Sequence, residues 1–171
     1  MESECESVIG SKTKACISAG NMKLGKMPNF SLAPGVTCSR EACATCFTEG
    51  CYARKAYRLY PQTKAAWDRN TDLALHDLTD LQAQLVKYFT KNRPNYFRLH
   101  VSGDFVSPEY TAMWRAIAAR FQETHFLAFT KQYEMVRAID WPINVAIVFS
   151  ACGDVQRPGK TIFTLIWNPK R

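Results

Sequence analysis

Apolar residues recur at helical spacing in the middle of the chain and form short continuous runs in its second half. From residue 62 to about residue 91, apolar positions return every three to five residues with polar residues between them, which predicts helix. Pro61 suits the first turn of such a helix, and the stretch 92–94, which ends in proline, terminates it. The polar stretch 77–80 leaves two alternatives open, one long helix or two shorter ones.

A strand–helix repeat follows. Four apolar runs predict strands and two amphipathic stretches predict the helices between them; the strands are at 96–105, 125–131, 143–154 and 161–167, and the helices at 107–121 and 133–139. Strands that alternate with helices pair in parallel through right-handed crossovers. Because the strands are almost entirely apolar, both faces of the sheet are expected to be covered. The sequence therefore predicts an α/β fold, a parallel sheet of about four strands with flanking helices in a partial (βα) barrel.

The first part of the chain carries weaker patterns. Residues 1–20 are polar and predict an N-terminal tail or an edge segment. Residues 21–36 contain two glycines and two prolines, which is typical of loop, with one short strand near residues 30–32. Residues 21–171 are long enough for a single domain with a hydrophobic core.

Composition places the chain among ordinary globular proteins. The hydrophobic share is 47% and the charged share 22%. No apolar run approaches the roughly 18 residues that cross a bilayer, and the start of the chain does not resemble a signal peptide, so we expect a cytoplasmic protein. The net charge of +7 favours anionic partners such as nucleic acid or nucleotides, although it is also compatible with a solvated surface alone.

Small and polar residues follow the predicted strands. In parallel α/β folds, ligands bind at the carboxyl ends of the strands. The candidate cofactor-binding side chains are those of His100, Ser102, Asp104 and Lys131. Two of them have plain structural alternatives, because Asp104 could cap the next helix and a histidine within a strand is often a core residue.

Four of the seven cysteines lie within fourteen residues, in the pattern C-x4-C-x2-C-x4-C formed by Cys38, Cys43, Cys46 and Cys51. Cytosolic thiols stay reduced, and an odd number fits a disulfide framework poorly, so a metal site is favoured. Structural zinc sites usually use two C-x2-C pairs that lie far apart, whereas ferredoxin-type segments crowd their cysteines. We therefore expect one [4Fe–4S] cluster, with Cys152 as an alternative fourth ligand, and keep zinc and redox-active thiols open.

Several stretches resemble the phage "gene product 88" domain family over about residues 17–152. The most specific marks are C-Y-A after the cysteine-rich segment and H-V-S-G-D at the end of a strand. The resemblance implies expression from a phage or prophage in the host cytosol. The cysteine segment and the strand–helix pattern are also similar to radical S-adenosylmethionine enzymes. Those enzymes carry C-x3-C-x2-C with only three ligating cysteines, and this chain departs from that spacing.

Three functions remain open. In the first, the cluster is structural or carries electrons, and a basic surface binds a host protein or nucleic acid. In the second, the protein is a radical enzyme that cleaves S-adenosylmethionine reductively and binds it as a second cofactor. In the third, zinc stabilises a nucleic-acid-binding protein. The four cysteines and the missing three-cysteine signature favour the first.

Overall fold

The computed structural model describes residues 13–20, 26–39, 51–150 and 163–166, and the fold is given over these ranges. They form six strands and five helices. The elements are β1 (Ile17–Ser18), β2 (Asn29–Phe30), α1 (Tyr52–Leu59), α2 (Pro61–His76), α3 (Leu78–Asn92), β3 (Tyr96–Leu99), α4 (Pro108–Arg120), β4 (His125–Thr130), α5 (Tyr133–Arg137), β5 (Val145–Ser150) and β6 (Phe163–Ile166).

The strands form one mixed sheet in the order β1-β2-β3-β4-β5-β6. The four strands β2 to β5 pair in parallel, which confirms the predicted α/β class and the parallel core. Strands β1 and β6 pair antiparallel at the two ends of the sheet. The prediction that the strand at 161–167 belongs to the parallel sheet was wrong, because an antiparallel neighbour needs no crossover helix and the direction of a strand cannot be inferred from an apolar run alone.

Local sequence signals account for where the helices begin. The long helical region is two helices, because Asp77 caps α3 by accepting a hydrogen bond from the Asp80 N–H at 3.0 Å. At α4 the Ser107 hydroxyl accepts from the Tyr110 N–H at 3.1 Å, and Pro108 occupies the first turn, as predicted. Helix α1 was not predicted, since it follows the cysteine segment without an extended apolar repeat.

The hydrophobic core lies between one face of the sheet and the helices. The Phe89 ring of α3 lies 4.8 Å from Phe97 and 5.3 Å from Phe126, and Trp114 of α4 lies 5.7 Å from Phe30. These strand residues are fully or almost fully buried. Because side chains alternate along a strand, the residues that lie between these buried strand residues and the next buried ones project from the opposite face of the sheet.

That opposite face is less completely covered than expected. Arg98, Leu127 and Phe129 are half-buried, and Ala146 is exposed. Three of them form a row across the sheet, because Arg98 pairs with Leu127 and Leu127 with Ala146. The expectation that both faces are covered was wrong for this row. Farther along β5 on the same side, Val148 and Ser150 are buried. We call Arg98, Leu127 and Ala146 the open face.

Candidate functional site

The carboxyl edge of the parallel strands lies beside both ends of the cysteine segment. Thr37 is buried, and its hydroxyl accepts a hydrogen bond from the Asp104 N–H at 3.1 Å. On the other side of the segment, the Tyr52 hydroxyl donates to the carbonyl of Val101. Residues 40–50 lie outside the described ranges, but the residues that flank them are attached to the chain that follows β3.

Gly103 allows the hydrogen bond between Asp104 and Thr37 to form. Its φ of +78° is in the left-handed region, and a Cβ there would lie 2.6 Å from both the Leu32 Cβ and the Thr37 Oγ1. The Leu32 N–H also donates to the Ser102 carbonyl at 2.9 Å. The chain before the cysteine segment therefore packs directly on the end of β3.

Asp104 joins the ends of β3 and β4. One carboxylate oxygen accepts from the Thr130 hydroxyl at 2.6 Å and the Phe105 N–H at 2.8 Å, and the other accepts from the Lys131 N–H at 2.8 Å. Burial raises the pKa of this carboxyl, and the three hydrogen bonds oppose part of the rise. The structure thus gives Asp104 a structural role, and a part in cofactor binding stays a prediction.

His100 lies against α4. Its Nε2 is 2.8 Å from the Tyr110 hydroxyl, and its ring centroid is 4.8 Å from that of Phe105. Burial lowers its pKa from 6.5 to about 3, so the ring is neutral. Within the described ranges its Nδ1 and the buried Ser102 hydroxyl have no hydrogen-bond partner. These contacts place His100 in the core beside α4. A role of His100 or Ser102 in cofactor binding stays a prediction.

Arg98 is a candidate that the sequence reasoning missed. Its guanidinium lies 4.9 Å from the centre of the Phe129 ring, on the side of the sheet opposite the core. Desolvation raises the pKa of the Tyr52 hydroxyl, and the positive charges of Arg98 and Lys131 oppose part of this rise. The signal was a charged residue between Phe97 and Leu99 in an otherwise apolar strand.

Two of the four predicted metal ligands are described. Cys38 and Cys51 are half-buried, and Cys51 is the N-cap residue of α1. Cys43, Cys46 and the alternative ligand Cys152 lie outside the described residues. Within the ranges that are described, no three His, Cys, Asp or Glu side chains are grouped closely enough to hold a metal ion. The predicted site therefore depends on residues 40–50 to bring its thiolates together.

Cys16 lies apart from this segment, on the chain that enters β1. The Arg69 guanidinium is 3.4 Å from its sulfur, and Asn70 bonds to its backbone. Arg69 and Asn70 therefore attach the N-terminal segment to α2.

No helix in the described part of the chain is long and apolar enough to cross a membrane.

Comparison with known proteins identifies similar phage sequences. The family model described as "Gene product 88" matches residues 8–162. "Gene 88 protein" of Mycobacterium phage D29 is 29% identical over 123 residues, which cover 66% of this chain and 50% of that protein. "Gene 88 protein" of Mycobacterium phage L5 is 29% identical over 151 residues, which cover 79% of this chain and 61% of that protein. The matches thus span about half to three-fifths of these relatives, and no solved structure matches the chain.

Proposed function

The chain belongs to the gene product 88 family, and we propose that it is an iron–sulfur protein with one [4Fe–4S] cluster at the carboxyl edge of the parallel sheet. The proposed ligands are the thiolates of Cys38, Cys43, Cys46 and Cys51. The observation that carries this proposal is the attachment of both flanks of the cysteine segment to the end of β3, through Thr37 and Tyr52. These contacts restrict where the thiolates can gather.

Cys51 lies at the start of α1 as its N-cap residue. The free N–H groups of a helix N-terminus carry partial positive charge, which attracts a negatively charged cluster. Exposed Arg54, Lys55 and Arg58 add basic charge along the same helix. A cluster with four thiolates carries net negative charge, so a basic environment favours its binding.

In the proposed function the cluster is structural or transfers electrons, and the basic surface binds a host protein or nucleic acid. Four cysteines in one segment can satisfy all four irons, which leaves no open coordination position. The charge of +7 supports an anionic partner.

A second function is a radical S-adenosylmethionine enzyme. The observation that favours it is the buried Ser102 hydroxyl after β3, which has no hydrogen-bond partner within the described residues and could bind a cosubstrate. This function requires that only three of the four cysteines bind iron.

Anaerobic purification with measurement of iron and acid-labile sulfide tests the cluster. We expect about four iron and four sulfide per chain and a brown absorption band. Alanine at any one of the four proposed ligands should reduce the bound iron strongly, whereas Cys16→Ala, outside the segment, should leave it unchanged. Zinc without sulfide, or equal iron loss in Cys16→Ala, would contradict the proposal.

Replacement of Cys46 separates the two functions. Loss of the cluster in Cys46→Ala, with no effect of S-adenosylmethionine on the electron paramagnetic resonance spectrum of the parent, supports a structural or electron-transfer cluster. An intact cluster in Cys46→Ala, with a spectrum that S-adenosylmethionine perturbs, supports the radical enzyme.

A further inference from the structure

Helix α1 concentrates positive charge on its solvent side. Its eight residues include Arg54, Lys55 and Arg58, all of them exposed, and no aspartate or glutamate. Arg54 and Lys55 lie four and three positions before Arg58, so the three side chains are neighbours on one side of the helix. The chain contains no acidic residue from position 51 to position 67, so this side of α1 is strongly basic.

Another side of α1 is packed, which fixes the side that faces solvent. Ala53 is buried, and the Tyr57 ring stacks on the Trp67 ring of α2, with the ring centroids 6.3 Å apart and the planes at 15°. The first acidic residue after α1 is Asp68, whose carboxylate accepts hydrogen bonds from the Tyr57 hydroxyl and, at 2.5 Å, from the Lys64 ammonium. These contacts attach α1 to α2 and leave the three cations of α1 on its exposed side.

Exposed apolar side chains directly follow these cations along the chain. Leu59 ends α1 and is 52% exposed, and Tyr60, between α1 and α2, is 59% exposed. Proteins that bind single-stranded nucleic acid combine cations for the phosphates with exposed aromatic rings on which unpaired bases stack. The bases of a duplex already stack on one another, and an acidic protein segment would use the cations alone. The exposed tyrosine beside the cations therefore favours a single strand.

We propose that the exposed side of α1 binds single-stranded nucleic acid. Arg54, Lys55 and Arg58 contact the phosphates, and the Tyr60 ring stacks on a base. Arginine suits the phosphate contacts, because its planar guanidinium donates two parallel hydrogen bonds to one phosphate group. The inference rests on the proposed function for its basic surface, to which it assigns residues and one partner, and it does not require the cluster.

Fluorescence anisotropy of a labelled oligothymidylate of about 15 nucleotides, titrated with the full chain, tests this surface. We expect the logarithm of the affinity to fall against the logarithm of the salt concentration with a slope of about −2, because three phosphate contacts contribute about −0.7 each. Arg58→Gln should weaken binding about fivefold at about 50 mM salt and make the slope shallower by about 0.7. Arg120→Gln is the matched control, because Arg120 is also an exposed arginine in the last turn of a helix, and it should change the affinity less than about twofold.

Substitution of Tyr60 separates stacking from charge. Tyr60→Ala should weaken binding of the oligothymidylate about tenfold without changing the salt slope, whereas Tyr60→Phe should keep the affinity within about threefold. A duplex of the same length should bind more weakly, and Tyr60→Ala should not change its affinity, because paired bases do not stack on the ring. If circular dichroism shows that Tyr60→Ala is unfolded, Arg58→Gln and the salt slope of the parent provide the test.

Several results would overturn the site. They are no binding of the oligothymidylate up to about 100 µM chain, equal affinities of Arg58→Gln and Arg120→Gln, a folded Tyr60→Ala that binds as tightly as the parent, or tighter binding of the duplex. Tighter binding of polyglutamate would also overturn it and would indicate an acidic protein partner. Iron and sulfide are measured on the same samples. A chain with its cluster that does not bind the oligothymidylate contradicts this inference alone, whereas a chain without iron that binds it through Arg58 contradicts the cluster alone.

Discussion

His100 combines an unusual backbone conformation with an uncharged side chain. Its φ of 57° is unusual for a residue other than glycine, and it directly follows Leu99, the last residue of β3. The ring is packed between Phe105 and Tyr110 and stays neutral, because burial lowers its pKa to about 3. A histidine held in this way makes stability depend on pH.

The pH dependence has a definite sign. Below about pH 6.5 the histidine of the unfolded chain gains a proton that the folded chain does not accept until about pH 3, so stability falls as the pH drops through this window. The expected slope is about 1.4 kcal/mol per pH unit. His100→Asn, which tolerates a left-handed backbone, should reduce this slope in chemical denaturation measured between pH 7 and pH 5.

His125→Gln is the control for this measurement, because His125 is exposed at the start of β4. It should keep the slope of the parent protein. The raised pKa of Asp104 acts in the opposite direction, since stability from that group is lost as the pH rises, so the difference between parent and His100→Asn isolates the histidine. Identical slopes in parent and His100→Asn would show that the ring takes up its proton over the same pH range in the folded and the unfolded chain.

The residues of the candidate site were predicted better than the contacts that they make. The sequence placed Asp104 in a strand at 96–105, which was wrong, because β3 ends at Leu99 and Asp104 lies in the connection to α4. Its hydrogen bonds to Thr130 and Lys131 were not predicted, because they depend on how this connection packs on the end of β4. Arg98 was missed because its significance lies in the face on which it projects. Strand alternation reveals that face only once the buried partners Phe97 and Leu99 are fixed.

At the scale of elements, α2 fixes the first two strands through one buried side chain. The Asn70 amide accepts from the Cys16 N–H at 2.7 Å and donates to the carbonyls of Cys16 at 2.8 Å and Ser31 at 2.9 Å. Strands β1 and β2 have only two residues each, too few to be stable alone. Their position in the sheet therefore depends on this contact with α2.

Asn70→Ala should lower the free energy of unfolding by about 2–3 kcal/mol, because it leaves buried backbone groups without partners. Hydrogen exchange should accelerate first at the backbone of residues 15–18. Asp72→Ala, an exposed position on the same helix, should change stability by less than about 0.5 kcal/mol. A variant at Asn70 as stable as the Asp72 variant would mean that the edge strands are held by other contacts.

Elements with a strong local signal were predicted closely. Helices α3 and α4 begin at side-chain caps, and β4 and β5 are continuous apolar runs, so residue type alone locates them. The antiparallel direction of β6 and the existence of α1 were not predicted. Both depend on tertiary pairing, since a short apolar strand reads the same in either direction and α1 lacks an extended apolar repeat.

At the scale of the whole molecule, the chain before and after the cysteine segment meets at one edge of the sheet. Thr37 and Tyr52 are fifteen positions apart, yet both bond to the stretch that follows β3. If the segment between them holds a cluster, metal binding closes this loop and stabilises the folded state, because a metal that binds only the folded form shifts the equilibrium toward it. The stabilisation should be greatest at the carboxyl edge.

Removal of the cluster by a chelator under anaerobic conditions should therefore lower the melting temperature by about 5–10 °C, the effect of a few kcal/mol in a domain of this size. Amide exchange should accelerate at residues 100–104 and at Thr37, and the interior of α3 should change least, because its core contacts with Phe97 and Phe126 do not involve the cysteine segment. The same chelator treatment should change neither the melting temperature nor the amide exchange of the Cys38→Ala variant. Loss of iron with unchanged exchange at residues 100–104 would show that the cluster lies away from this edge of the sheet.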